Sequence, residues 1–427
     1  MATALRRRRL TESADFPTPK ADAGLHRALL TWYDAQARDL PWRRSRDAYA
    51  IWVSEVMLQQ TQVSVVLRYW APFLERFPTL PSLADASLDA VLAAWSGLGY
   101  YARARNLHRA AQAVVQKHGG LLPASASALA VLPGFGRYTV GAVASIAFGL
   151  AEPLVDGNVA RVLCRLYAVA GAPGAPEREA RLWAHASRLV PAERPGDWNQ
   201  ALMELGATLC RAASPSCRLC PLRTECRALA QGLLARLPPP RPAPRRQRLR
   251  LAVAVVRRQG RLLFGRRPAK GLFGGLWELP AVELPGAAKA DEGRTRLMAL
   301  LGPGTRVGHS LGTVRRTLTH RALTLSLYEA TAPVRPQKGE YLELRWVNAA
   351  EAATLGVSAA MQAALAKATP GVLRRPAPPE AMLDAALGPT ADCPPPGPGG
   401  EGRPWDGPAG RTSEGGHQRG SAWRHRP

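Results

Sequence analysis

Two carboxylates and a knot of thiols are the residues whose types and spacing suggest chemistry. Cys210, Cys217, Cys220 and Cys226 fall within 17 residues as C-x6-C-x2-C-x5-C. Clustered thiolates are soft ligands that suit an iron–sulfur cluster or zinc. A zinc ribbon more usually pairs two C-x2-C knuckles across a longer gap, and the other cysteines, Cys164 and Cys393, stand too far away to suggest a disulfide framework. Glu55 lies inside the apolar run Ile51-Trp-Val-Ser-Glu-Val-Met-Leu-Gln-Gln-Thr-Gln-Val. A carboxylate among Trp, Val and Met is costly to ionise, so its pKa should rise toward that of a general acid. The plainer reading is a helix glutamate reaching solvent. Its stripe partners at i+4 and i+7, Gln59 and Gln62, are amides rather than cations and fit a pocket better. Asp156 stands directly before a helix in Val155-Asp-Gly-Asn-Val. It reads either as an N-cap contributing about 1 kcal/mol or as a carboxylate held ionised, its pKa lowered by helix-start N–H groups. One carboxyl kept protonated beside one kept ionised is an arrangement that cleaves glycosidic bonds.

Elements that position these groups follow from composition and pattern. The chain has 427 residues, 46% of them hydrophobic, enough for more than one domain. Residues 1–24 lack periodicity and are expected to be a disordered basic arm, the run Arg6 to Arg9 being a solvated charge cluster. Residues 25–234 read as successive helices of about 10–15 residues with Pro and Gly punctuation, an all-α domain. Residues 235–248, rich in Pro and Arg, read as a semi-rigid linker that does not pack. Residues 249–366 read as α+β. Strands are expected at Leu249–Val256 and Arg261–Phe264 about the turn Arg258-Gln-Gly, and at Leu323–Tyr328 and Leu342–Val347; helices are expected at Arg294–Leu301 and Ala349–Ala366. Residues 367–427 form a Pro/Gly-rich tail without a core pattern, expected to be disordered.

A net charge of +25 points to a polyanionic partner, although the Arg, Ala, Pro and Gly bias suggests GC-rich coding and shifts the weight to local sites. One such site is Leu132-Pro-Gly-Phe-Gly between two helical stretches. There Gly134 and Gly136 permit a tight turn and bare backbone N–H groups beside a helix start, a way to hold a DNA phosphate without reading sequence. A simple αα-hairpin is the competing reading. The apolar stretch Thr139–Leu150 is too short to span a bilayer, and reduced cysteines suit a cytosolic, nucleoid-associated protein.

Taken together, Leu132-Pro-Gly-Phe-Gly, Val155-Asp-Gly-Asn-Val and the four cysteines resemble the helix-hairpin-helix base-excision DNA glycosylases that carry a [4Fe–4S] cluster. Asp39-Leu-Pro-Trp-Arg, Trp52-Val-Ser-Glu-Val-Met-Leu-Gln-Gln-Thr-Gln-Val and Gly97-Leu-Gly-Tyr-Tyr-Ala-Arg-Ala-Arg-Asn-Leu are similar to the branch that excises adenine, over about residues 25–365. The resemblance implies double-stranded DNA with adenine opposite 8-oxoguanine or guanine as substrate, and an abasic site as product. It implies that Glu55 protonates adenine N7, that Asp156 stabilises the sugar cation, and that Tyr138 and Asn158 orient them. The lyase relatives carry a Lys after the hairpin where this chain has Tyr138, which implies a monofunctional enzyme. By the same resemblance Gln60 and Tyr100 wedge the vacated stack, Arg38, Trp42 and Gln200 line the adenine pocket, and the four cysteines hold the cluster. Arg211 and Arg218, beside those cysteines, join Gly134 and Gly136 on the DNA backbone.

Residues 249–365, with Arg266-Arg-Pro-Ala-Lys-Gly-Leu-Phe-Gly-Gly-Leu-Trp-Glu-Leu-Pro, resemble a NUDIX-like lesion-reading domain. The acidic helix that would hold Mg²⁺ in a NUDIX hydrolase is missing, so the fold is expected without the hydrolysis. Leu318-Thr319-His320 stands where the family commonly has Phe-Ser-His: His320 and the Thr319 hydroxyl keep hydrogen bonding to the lesion, while Leu318 removes an aromatic ring. A monomer is expected. The competing readings are a DNA-binding or redox-sensing module without catalysis, and a bifunctional lyase acting on oxidised pyrimidines.

Overall fold

The computed structural model of the chain describes residues 19–240, 246–286 and 290–369. The expected arm Arg6–Arg9 and the tail after 369 lie outside the described residues. From Pro19 to Ala230 every regular element is helical. The first helix, Pro19–Gln36, begins inside the segment expected to be disordered, and several others are shorter than the periodicity predicts, down to four residues in Pro41–Arg44. Short helices fit here because two separate cores, rather than long amphipathic faces, hold them.

One core gathers Trp52, Phe73, Trp95 and Leu107. The other gathers Leu29, Leu163, Leu182 and Trp198. Helix Arg137–Phe148, the second arm of the hairpin, belongs to both: Val143 and Ala144 face the first core, and Ala142 faces the second. Small residues allow this. A Cβ on Gly141 would fall 2.0 Å from the Pro153 carbonyl oxygen, and one on Gly196 would fall 2.6 Å from that of Ser145. The seam between the cores is therefore a close backbone contact, and the candidate catalytic residues lie along it.

The second half is a seven-stranded sheet with helices on its faces. Its strands are β1 (Gln247–Arg258), β2 (Arg261–Arg266), β3 (Trp277–Glu278), β4 (Ala281–Leu284), β5 (Arg306–Thr317), β6 (Arg321–Thr331) and β7 (Glu343–Val347). β1 runs parallel to β6 and antiparallel to β2 and β4. Leu251, Val253 and Val255 face helix Ala359–Ala368, while Ala252, Ala254 and Val256 face helix Ala290–Leu301, so β1 reads as an unbroken apolar run. The turn joining β1 to β2 puts Gln259 and Gly260 at φ +47° and +72°, the two left-handed residues of a tight hairpin. β5 was not expected: it is an edge strand that buries only Val314 and so lacks the alternation that marks a strand. The predicted helix Ala349–Ala366 is broken into Ala349–Ala353 and Ala359–Ala368, the latter running past the expected boundary at 366.

The two halves touch. Ser96 donates to the Val357 carbonyl and accepts from Gln362 Nε2 at 2.8 Å, Arg105 donates to the Gly274 carbonyl at 2.7 Å, and Leu276 joins the first helical core. The linker's first residues also pack, against expectation. Leu237 is buried, and its carbonyl accepts from Arg165 Nε at 2.7 Å, because a side-chain donor satisfies the backbone that proline-rich sequence leaves unpaired. Among the described residues no helix is long and apolar enough to cross a membrane.

Candidate active site

Glu55 rides on helix Ala48–Leu58, which Asp47 caps by accepting from the N–H groups of Tyr49 and Ala50. The helix is buried from Tyr49 to Met57, and Glu55 is only 4% exposed. Tyr138, at the start of helix Arg137–Phe148, donates its hydroxyl to Glu55 Oε2 at 2.5 Å. Burial pushes the Glu55 pKa up to about 7; the Tyr138 hydrogen bond pulls against this, the Asp156 charge adds to it, and Arg43 opposes it. Burial likewise holds the Tyr138 hydroxyl well above its ordinary range, so it remains a donor. The expected polar stripe is shorter than predicted. The helix ends at Leu58, Gln59 turns to donate to Thr139 Oγ1 at 3.1 Å, and Gln62 starts the next turn of helix.

Asp156 caps helix Gly157–Leu166. Its Oδ1 accepts from the Val159 N–H at 2.7 Å and its Oδ2 from Asn158 Nδ2 at 2.9 Å. These donors were expected to lower its pKa, but burial outweighs them and Arg161, and the pKa is raised. The two carboxyls therefore share a low-dielectric seam in which both resist charge. Arg161 fixes Asn158 in turn: it donates to Asn158 Oδ1 at 2.8 Å and to the carbonyls of Gly206 and Cys210, each at 2.7 Å.

Of the expected adenine-pocket residues, Arg38 lies beside the seam, but its guanidinium is bound to Glu204, at 2.6 and 2.9 Å. Arg43 joins the same carboxylate at 2.7 Å. Burial opposes ionisation of Glu204, yet the two arginines hold its pKa below the ordinary range. Trp42 is buried in the first core, edge-on to Trp70, and Gln200 is half-buried on helix Pro195–Thr208. Gln60 and Tyr100 share an unusual backbone, φ +57° and +48°, and both are exposed.

Cys210, Cys217, Cys220 and Cys226 are free thiols brought to one place. Cys220 feels the charge of the other three in addition to its own burial, and Arg165 Nη1 lies 3.4 Å from Cys210 Sγ while donating to the Arg211 carbonyl. Burial first and the neighbouring sulfurs second push the Cys220 and Cys226 thiols up, and four sulfur donors over an apolar floor are a set that fits a cluster ligated through sulfur. Among the described residues no three His, Cys, Asp or Glu side chains are arranged to hold a single metal ion. Arg211 and Arg218 are exposed on this loop.

At the hairpin, Gly134 has φ +82°, and a Cβ there would fall 2.7 Å from that of Asn106. Gly136 caps the following helix and is exposed. Leu318, Thr319 and His320 form the tip between β5 and β6, with Thr319 and His320 exposed and the Thr319 hydroxyl bonded to that of Tyr100.

The family model described as HhH-GPD superfamily base excision DNA repair protein matches residues 53–188, and the NUDIX domain model matches residues 252–367. Fold and site thus define a helix-hairpin-helix base-excision DNA glycosylase followed by a NUDIX-type domain. The chain is 41% identical over 399 residues to the human adenine DNA glycosylase, covering 78% of this chain and 72% of that one. It is 40% identical over 398 residues to the rat adenine DNA glycosylase, covering 79% and 76%. A solved thermostable thymine-DNA glycosylase aligns at 28% identity and TM-score 0.45, over 50% of this chain and 98% of that one. The chain belongs to the adenine DNA glycosylases of the MutY type, enzymes of base excision repair.

Sequence reasoning missed Arg43, Glu204 and Arg161. Each looks like an ordinary helix charge, and only the fold brings Glu204 across 166 residues to Arg38.

Proposed function

We propose that the enzyme hydrolyses the glycosidic bond of adenine mispaired with 8-oxoguanine or guanine, leaves an abasic site, and does not cut the strand. The observation that carries this reading is the Tyr138–Glu55 pair: a buried acid poised near neutrality, with a phenol where a lyase would place an amine. Glu55 delivers its proton to adenine N7 as the bond lengthens, and Tyr138 steers that proton. Asp156, aimed by Asn158 and the Val159 N–H, faces the developing sugar cation, whose positive charge favours the ionised carboxylate against the burial that raises its pKa in the free protein. Extruding adenine from the duplex costs a few kcal/mol. Gln60 and Tyr100 fill the vacated stack, and Arg38, Trp42 and Gln200 line the path of the base. Thr319 and His320 reach the opposite base from the hairpin tip. Cys210, Cys217, Cys220 and Cys226 would hold a [4Fe–4S] cluster, which would brace the loop that presents Arg211 and Arg218 to the phosphates.

Single-turnover excision on duplexes with adenine opposite 8-oxoguanine, guanine or thymine tests the substrate. Borohydride trapping tests the mechanism. Alkali-labile product from the first two duplexes without trapped protein is expected; efficient trapping would overturn the monofunctional reading, and absence of product from cluster-loaded protein would overturn the substrate.

A further inference from the structure

Arg103, on helix Ala102–His118, is 9% exposed, and its hydrogen-bond partners are carbonyls and one hydroxyl rather than carboxylates. One terminal nitrogen donates to the carbonyls of Val56, Met57 and Gln59 at 2.8, 2.7 and 2.6 Å. The other donates to Thr61 Oγ1 at 3.0 Å and to the carbonyls of Leu98 and Gly99 at 3.3 and 3.2 Å. Val56 and Met57 lie in the last turn of the Glu55 helix, whose carbonyls lack helical partners and whose end favours a cation. The guanidinium also stands 5.5 Å from the centre of the Tyr100 ring. It thus joins the helix that carries the acid to the two turns that carry Gln60 and Tyr100, both held in left-handed backbone that costs on the order of 1 kcal/mol or more and persists only when surroundings enforce it.

We infer that Arg103 is a positioning residue for base extrusion, fixing Gln60 and Tyr100 at a set distance from Glu55 by gripping both turns at once. The inference rests on the proposed wedging role of Gln60 and Tyr100. A planar fork with several donors serves two sets of carbonyls together, which the point charge of a lysine does not.

The test uses the full-length, cluster-loaded enzyme and two duplexes, one with adenine opposite 8-oxoguanine and one with adenine opposite an abasic spacer, where the target base has no partner to leave. A misplacement of about 1 Å can cost about a hundredfold in rate. Arg103→Met should lose about that factor on the paired duplex and only a few-fold on the unpaired one, with Tyr100→Ala showing the same asymmetry. Equal losses on both duplexes would mean that Arg103 merely shapes the Glu55 helix, and unchanged rates would mean that it does nothing; either result overturns the inference. If Arg103→Met fails to fold by thermal melting, Arg103→Lys carries the same comparison at about tenfold, and wild-type rates in the lysine variant overturn the two-sided grip. If Tyr100→Ala and Gln60→Ala leave the paired duplex unaffected, the wedge reading itself fails; if they impair it and Arg103→Met does not, only the inference fails.

Discussion

Each half of the molecule buries a glutamate against a tyrosine hydroxyl, and the two pairs differ in the charges set around them. In the helical half, Tyr138 donates to Glu55 at 2.5 Å, and the nearby charges are a second carboxylate, Asp156, and Arg43, whose guanidinium is bonded to Glu204. In the sheet half, Tyr341 donates to Glu278 at 2.9 Å, and Arg267 adds a guanidinium at 2.7 Å. Burial raises both pKa values, but Arg267 and Tyr341 together oppose the rise at Glu278. The guanidinium makes Glu278 a bracing ion pair that ties β3 to the residues before it. At Glu55 the nearby guanidinium, Arg43, is bonded to Glu204 instead, and the pKa is pushed up to about 7. Burial is the largest influence on both glutamates, and the charges around them set how strongly it is opposed.

The comparison is broken most severely at Glu55. Glu55→Gln should lower single-turnover excision about 10²–10⁴-fold while leaving duplex binding intact, since the amide has no proton to transfer. In the wild type, excision should fall as pH rises through about 7, where Glu55 loses its proton. Stability follows the same limb. The folded pKa lies above the ordinary value of 4.5, so Glu55's contribution is full below about pH 4.5 and is lost as pH rises through about 7. Glu55→Gln should accordingly match the wild type in acid and exceed it above neutrality, by on the order of 1–3 kcal/mol in denaturant melts.

Glu278→Gln should do the reverse. It strands Arg267 and costs about 3 kcal/mol of stability in urea titrations, while excision per folded molecule stays within a few-fold of wild type. Asp156→Asn keeps an N-cap but removes the charge that raises Glu55, so any residual excision should lose its activity at lower pH than in the wild type. Tyr138→Phe is the mildest change. It removes about 1 kcal/mol of hydrogen bonding and, because that bond lowers the Glu55 pKa, should move the alkaline limb upward. A downward shift in the pH–rate profile would contradict the pairing.

What could be read from sequence followed the range of each signal. Glu55, the hairpin glycines and the four cysteines announce themselves locally, through an acid in an apolar run, turn chemistry and ligand spacing. Arg38, Arg43 and Glu204 form one cluster from two stretches more than 160 residues apart, and no local pattern records that contact. Arg103 sits in a helix rich in arginine, where a buried guanidinium and a solvated one are spelled alike. At Asp156 the donors that lower its pKa are local and visible in sequence, whereas the burial that outweighs them comes from distant parts of the chain. β5 escaped notice for the opposite reason, since an edge strand buries too little to leave a period.

Arg165 ties the cysteine loop to the start of the linker. Its guanidinium reaches the carbonyls of Arg211 and Ala212 in the cysteine loop and that of Leu237, the last of these contacts to be synthesised. Leu237 precedes the first residue of β1 by ten positions, so the contacts Arg165 makes to the cysteine loop and the linker draw on no residue of the sheet. The braces that Arg165 gives the cysteine loop therefore come from the helical half and the start of the linker, so the loop is tied to the stretch of chain that leaves the helical half.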